Sequence, residues 1–154
     1  MEFKSDWYYK TEKEIGSQQD MLSPKEYKKY KLDLLLRIAR RVADFSPTCG
    51  QCHLHQGDIT GLTQDLRNLS LMSKEGRKGY FKRINSLTEH LKKSHKLATK
   101  GQYMGMCMSL GSGIGVAIGA GIDNIGAGTA LGVAIGLGVG KYLDNKAARE
   151  GRII

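Results

Sequence analysis

The chain has 154 residues, 24 Lys and Arg against 15 Asp and Glu, and a formal net charge of +9. This length allows one or two small domains and excludes a large multidomain protein, and three cysteines are too few for a disulfide scaffold. The positive charge suits an acidic partner, either an anionic membrane surface or nucleic acid. Residues 1–100 hold 20 of the 24 Lys and Arg, whereas residues 101–140 hold 13 of the 20 glycines and a single charge, Asp123. The chain should therefore divide into a polar basic part and an apolar part.

The first 22 residues are polar and show little helical periodicity, so we expect an N-terminal arm there. A helix should begin at Ser23, where Pro24 suits the first turn and Glu26 completes a capping box, and should run to about Phe45. One side of this helix is basic, and could lie on a membrane, touch nucleic acid or face solvent. The basic residues are Lys25, Lys28, Lys29, Arg37, Arg40 and Arg41.

Two further helices are expected before residue 100. Ser46-Pro47 ends the first helix, and the following segment, TCGQCHLHQG, has the composition of a loop. The second helix should run from Asp58 to about Leu71 and the third from about Ser73 to His95. The apolar side of the second helix consists of Ile59, Leu62, Leu66 and Leu69. Residues 23–100 are therefore predicted to form a small all-α domain of three helices.

Two cysteines and two histidines in this domain have the spacing of a metal site. Cys49 and Cys52 can present two thiolates to one ion, and His90 and His95 are separated by four residues. Helices two and three, folded as an antiparallel hairpin, would bring the histidines beside the cysteines. We predict a structural zinc site with these four ligands, and a variant in which His55 replaces one histidine. Five residues are about 140° out of phase on a helix, so the third helix should end or tighten between the histidines.

Other chemistries for these cysteines are weaker. The segment CGQCH, residues 49–53, matches the attachment pattern of haem c, but that requires export, and the N-terminus has no run of signal-peptide length. We therefore expect the chain to start in the cytosol. A redox-active dithiol is a further alternative. The sequence contains no convincing set of nucleophile, base and orienting group, so we do not expect an enzyme.

The apolar part contains two runs that are separated by Asp123-Asn124. The first run, residues 104–122, has the length of a membrane-spanning helix, and the second, residues 125–140, is shorter and extends to residue 143 if Lys141 reaches the membrane surface. Glycines recur every four residues in both runs and would form grooves for close helix packing. They are Gly111, Gly115, Gly119, Gly128, Gly132, Gly136 and Gly140. A second series of small residues, two positions away, would lie on nearly the opposite face.

Residues 101–143 resemble the glycine-zipper segments of homo-oligomeric membrane proteins, which carry the GxxxGxxxG repeat. The resemblance implies self-association, and in some members of the class a pore. The two runs with the turn between them predict a helical hairpin in a membrane, and the alternative is a hairpin buried in the core of a large assembly. Basic residues on both flanks, with only Asp123 in the turn, place both termini on the cytoplasmic side. The residues expected at the membrane surface are Lys92, Lys93, Lys96, Lys100, Lys141 and Lys146.

These observations together predict an all-α protein in four parts. They are an arm (1–22), a basic helical domain with a metal site (23–100), a transmembrane hairpin (101–143) and a basic tail (144–154). We expect an oligomeric membrane anchor or scaffold that holds a cytosolic protein partner. The alternatives are a small homo-oligomeric pore and a zinc-containing regulator that binds nucleic acid. A pore needs a polar lining, which this hairpin scarcely offers, and no aromatic platform for stacking bases is evident.

Overall fold

A computed structural model describes residues 6–19, 22–68 and 71–154. In these ranges the secondary structure consists of helices and one isolated parallel bridge, between Ala98 and Ile153, which confirms the all-α class. The chain divides into two compact units, residues 1–95 and 96–154. The boundary between them lies at His95, five residues before the predicted one. Leu69, predicted on the apolar side of the second helix, lies outside the described residues.

The described residues of the first unit form five α-helices and one short 3₁₀ helix. They are α1 (Asp6–Gln19), α2 (Pro24–Lys29), α3 (Leu32–Phe45), α4 (Gly50–Asp65), the 3₁₀ helix (Leu66–Asn68) and α5 (Lys74–His95). Their core is built from the apolar stripes of α3, α4 and α5, with contributions from α1. The fully buried side chains include Leu35, Ile38, Ile59, Leu62, Ile84 and Leu91.

The prediction of a polar arm without helical structure is wrong for residues 6–19. These residues form α1, which packs against α3 and α4. Tyr8 and Ile15 of α1 are buried, and the indole Nε1 of Trp7 donates a hydrogen bond to Thr60 Oγ1 at 3.2 Å. The buried face of α1 also includes Thr11, a polar residue whose hydroxyl bonds to the carbonyl of Trp7. Polar residues on the inner face conceal the helical pattern from a hydrophobicity-based prediction.

The first predicted helix is interrupted. The capping box at Ser23 and Glu26 is present, but α2 ends at Lys29 and α3 begins at Leu32. Between them Lys31 adopts a left-handed conformation with φ of 55°, which a non-glycine residue rarely adopts. The prediction of a continuous helix from 23 to 45 is therefore wrong at this point. The predicted loop at residues 48–57 is also wrong, because α4 starts at Gly50, eight residues before Asp58.

Two helices make up most of the second unit: α6 (Gln102–Gly121) and α7 (Ile125–Arg149). The predicted turn at Asp123-Asn124 is confirmed, since Asp123 has a positive φ and Asn124 caps α7 by accepting a hydrogen bond from the Ala127 N–H at 3.0 Å. Helix α7 continues past residue 143, and the chain after it returns to pair with Ala98. The amide of Ala98 donates to the carbonyl of Arg152, and the amide of Ile154 donates to the carbonyl of Ala98.

Candidate metal centre and apolar helical hairpin

The two cysteines of the candidate metal centre lie at the start of α4. Cys49 is the N-cap residue, in extended conformation, and Cys52 lies in the first turn. This geometry turns both thiols toward the same end of the helix. Cys52 is fully buried and Cys49 is partly exposed, so the pair forms one wall of a site at the edge of the core.

The two histidines come from the last turns of α5, which contacts α4. Arg83 of α5 links the helices, because its guanidinium donates to the carbonyl of Asp58 at 2.9 Å and to the carboxylate of Asp65 at 3.0 Å. Helix α5 therefore carries His90 and His95 back to the cysteines, as the predicted hairpin requires. The expected break between the histidines is wrong, because α5 runs through His95 without interruption.

The distances within the cluster match those of a tetrahedral metal site. The Nε2 atom of His90 lies 3.6 Å from Cys49 Sγ and 3.4 Å from Cys52 Sγ, and His95 Nε2 lies 3.2 Å from Cys52 Sγ. All four ligand atoms lie within 4.8 Å of one another. With metal–sulfur bonds of about 2.3 Å and metal–nitrogen bonds of about 2.0 Å, a tetrahedral ion places sulfur and nitrogen about 3.5 Å apart. Cys49, Cys52, His90 and His95 could therefore hold one metal ion.

Neighbouring groups fix the orientation of both imidazoles. Ser94 Oγ lies 3.3 Å from His90 Nδ1, which leaves Nε2 directed at the cysteines. The ring of His95 stacks on Phe45, with centroids 3.9 Å apart and planes at 14°. Such outer partners orient metal-binding histidines and are part of a working site.

His55 lies beside the cluster but outside the four-residue group, so the variant in which it replaces a histidine ligand is not the arrangement found. Its Nδ1 pairs with Asp58 Oδ2 at 2.9 Å, and its ring meets that of His90 edge-on at 5.0 Å. His55 lies on α4, one turn after Cys52, and its hydrogen-bonding partner Asp58 lies on the same helix.

The pKa values of the two thiols shift in opposite directions, because Cys52 is buried and Cys49 accepts a backbone hydrogen bond. Burial raises the pKa of the Cys52 thiol to about 12, and the hydrogen bond with Cys49 acts in the same direction. The backbone N–H of Cys52 bonds to Cys49 and holds the pKa of the Cys49 thiol below its usual value. Burial also lowers the pKa of His90 and of His95, which favours the neutral imidazole that binds metals.

The second unit presents a different kind of surface. Both of its helices are long enough and apolar enough to cross a membrane. Most of their large side chains point outward, so that Ile114 and Ile118 of α6 are 61% and 56% exposed. A helix in the core of a water-soluble domain would bury such residues.

All seven glycines predicted for helix packing lie in the contact between α6 and α7. A Cβ atom at Gly119 would lie 2.7 Å from the Cα of Ile125, and one at Gly140 would lie 2.5 Å from the Cα of Met104. At the other five glycines an added Cβ would likewise collide with backbone atoms of the opposite helix. Backbone atoms cannot rotate away as a side chain can, so these positions accept only hydrogen as a side chain at this separation.

The second series of small residues lies on the outside of the hairpin. Around Gly105, Gly113, Gly121 and Gly138 an added Cβ would meet nothing within 4 Å. The remaining small residues of this face, which include Ser109, Ala117, Ala130 and Ala134, are exposed.

The open end of the hairpin is closed by a residue that the sequence did not single out. Asp144 of α7 accepts hydrogen bonds from the backbone N–H groups of Tyr103 and Met104, at 3.2 and 3.1 Å. These N–H groups belong to the first turn of α6, and N–H groups in a first turn have no carbonyl partner inside their own helix. The sequence signal for this contact is a carboxylate four residues beyond an apolar run. The contact could not be predicted from it, because Tyr103 lies 41 residues away in sequence.

The six basic residues predicted at the membrane surface flank the two apolar helices in the sequence. Lys92 is half-buried and the other five are exposed. Lys93 pairs with Glu89 of its own helix at 3.2 Å. The remaining members of the set are Lys96, Lys100, Lys141 and Lys146.

No protein-family model, curated protein or solved structure matches this chain. Its class therefore follows from the molecule itself. It is an all-α protein with a four-residue group that could hold a metal ion and two helices that could cross a membrane.

Proposed function

We propose that this protein is a non-enzymatic membrane anchor that self-associates and holds a cytosolic protein partner through its first helical unit. The observation that carries the proposal is the outward direction of the apolar side chains of α6 and α7, whose glycines are directed at each other. This inside-out arrangement would be costly in water, whereas in lipid the apolar surface is solvated and glycine contacts hold the helices together.

The lipid environment is tested by membrane fractionation of the full-length protein. We expect the chain to stay in the membrane pellet at alkaline pH and to be released only by detergent. Recovery in the soluble fraction without detergent would refute the anchor, and would direct attention to the alternative of a regulator that binds nucleic acid. In that case the protein should also shift duplex DNA with a steep dependence on salt.

Self-association is assigned to the outer face of the hairpin, because the inner glycines are already used between α6 and α7. Leucine at Gly113 would project from the outer face without touching the opposite helix, since nothing lies within 4 Å of its added Cβ. We expect Gly113→Leu to lower the mass of the detergent-extracted complex and to leave the monomer folded. An unchanged mass in this variant and in the matched variant Gly138→Leu would contradict an interface on this face.

The metal is proposed to be structural zinc. Four ligands from two cysteines and two histidines complete a tetrahedral shell and leave no open position for catalysis. The ion would join the start of α4 to the end of α5 and so staple a small core, which is marginal in a unit of this size. Purified protein should contain about one zinc per chain, and less than a tenth of that, together with no Soret band, would exclude both zinc and haem c.

Both termini are proposed to lie on the cytoplasmic side, with the turn at Asp123-Asn124 across the membrane. A protease added to sealed, right-side-out vesicles should then leave the first unit intact and cut it only after the membrane is opened. Digestion of the first unit in sealed vesicles would instead indicate the opposite orientation, with the first unit outside the cytoplasm.

A further inference from the structure

An open groove in the first unit has a strongly basic lining. It lies between the end of α2 and the first half of α5, has a volume of about 580 Å³, and is lined by Lys29, Lys74, Arg77, Lys78, Phe81, Lys82 and Asn85. The two elements are held together where the Tyr80 hydroxyl donates to the carbonyl of Tyr30 at 3.1 Å. We call this feature the cationic groove.

Six of the seven lining residues form one continuous face of α5. Positions 74, 77, 78, 81, 82 and 85 follow the three- and four-residue steps of a helix, so the face extends over about 17 Å. The opposite face of α5, with Tyr80, Ile84 and Leu87, is buried in the core. This attachment fixes the direction of the basic face, which therefore does not depend on a mobile segment.

The charges of the groove are uncompensated, unlike other basic groups of the same unit. Arg37 pairs with Asp33, and Arg83 pairs with Asp65. In contrast, none of the lining residues is acidic, and the four lysines of the groove make no ion pair with the described part of the chain. Arg77 uses one Nη1 hydrogen to bond the carbonyl of Met72 and keeps its charge. Five like charges along a concave surface focus a positive potential that favours a partner with several negative charges.

The chemistry of the lining favours a diffuse anionic surface over a single chelated anion. Lysine is a compact point charge that does not impose bidentate geometry, and only one of the five cations is an arginine. Phe81, the one aromatic residue of the lining, is half-buried, with Lys31 Nζ 5.9 Å from its ring centroid. An aromatic ring among lysines is suited to the headgroup region of a lipid bilayer, where an apolar body and charged tips both find partners.

We propose that the cationic groove binds the surface of a membrane that contains negatively charged phospholipids. The choice of lipid rests on the proposed membrane anchor, because a chain fixed in a bilayer by α6 and α7 keeps this unit at a high local concentration of headgroups. The contact is separate from the lysines that flank the apolar helices. It gives the anchor a preference for anionic membranes, and the first unit a second point of attachment to lipid.

The test uses the full-length protein in nanodiscs of phosphatidylcholine, and measures capture by added vesicles. Vesicles with about 30% phosphatidylserine should bind the loaded discs, and phosphatidylcholine vesicles should not. Each basic residue at an anionic surface contributes about a fivefold gain in binding, so the triple variant Lys74→Gln, Lys78→Gln, Lys82→Gln should weaken capture about a hundredfold.

A matched variant separates the groove from the net charge. Lys10→Gln, Lys13→Gln, Lys25→Gln removes the same charge from exposed residues outside the groove and should change capture by less than about tenfold. An equal loss in both variants would reduce the effect to net charge and overturn the proposal. Equal capture by both kinds of vesicle would also overturn it.

Nucleic acid is the competing partner in this test. The lipid proposal fails, and the groove is a nucleic-acid site, under three results together. The wild type binds duplex DNA, the groove variant does not bind it, and the wild type does not capture the vesicles. The anchor proposal fails separately, because it requires the chain to enter the nanodisc, whereas vesicle capture can be measured equally well on a chain that remains soluble.

Discussion

Substituting one inner glycine by alanine gives the sharpest test of the α6–α7 contact. A Cβ at Gly115 would lie 3.0 Å from the Cα of Thr129 and 3.0 Å from the carbonyl carbon of Gly128, with the carbonyl oxygen still closer. These atoms belong to the backbone, so the helices must separate to admit the methyl group. Overpacking of this kind costs about 1 to 3 kcal/mol. At Gly113, two residues earlier on the same helix, an added Cβ meets nothing within 4 Å.

The assay is hydrogen exchange of the α6 amides in the full-length protein in detergent micelles. Local opening free energies are read from exchange rates, so Gly115→Ala should accelerate exchange in the middle of α6 about 5- to 150-fold. Gly113→Ala should leave it unchanged or slow it slightly, because alanine is the better helix former. Equal acceleration in the two variants would show that the cost is a general effect of losing glycine. No acceleration in Gly115→Ala would show that the helices do not approach as closely as described.

Three further predictions concern the metal centre and the open end of the hairpin. Burial raises the pKa of the Cys52 thiol to about 12, so zinc uptake at pH 7 should release at least one proton per ion and should weaken as pH falls; calorimetry in buffers of different ionisation enthalpy measures this. His95→Ala should weaken zinc binding more than about a hundredfold in a chelator competition, whereas the exposed neighbour of the cysteines, His53, should tolerate alanine. Asp144→Ala should cost about 1 kcal/mol and speed exchange of the two amides that it caps roughly fivefold, with a smaller effect for Asp144→Asn, and an unchanged rate would contradict the capping role.

The cluster of two cysteines and two histidines could be predicted because each pair is close in sequence and the geometry of a helical hairpin is simple. Cys49 and Cys52 are close in sequence, and α5 has the length needed to bring His90 and His95 beside them. The break between α2 and α3 could not be predicted, because it lies at Lys31, which is neither glycine nor proline, and a left-handed conformation is rare for such a residue. The start of α4 was missed because glycine and histidine at residues 50–57 have low helix propensity, which the tertiary contacts override.

The two small-residue faces of the hairpin helices could also be predicted, from the spacing of the glycines alone. A four-residue repeat of Gly111, Gly115 and Gly119 specifies a narrow groove on a helix whatever surrounds it. The repeat does not say which groove meets which, and that depends on the length of the turn at Asp123-Asn124. The cationic groove was hidden for a related reason, since its lysines were visible on α5 but Lys29 joins them only through the tertiary fold.

A four-residue repeat on both helices has a weakness, because it looks the same after a shift by one repeat. If α7 moved along α6 by four residues, so that Gly136 took the place of Gly132 and Gly132 that of Gly128, Gly111 and Gly115 would again face glycine. Asp144 removes this ambiguity, since its carboxylate reaches the amides of Tyr103 and Met104 in one alignment only. The short turn fixes the other end. The turn and this polar contact together therefore select one alignment among those that the repeat allows, and the contact acts as a buried asparagine does in a coiled coil.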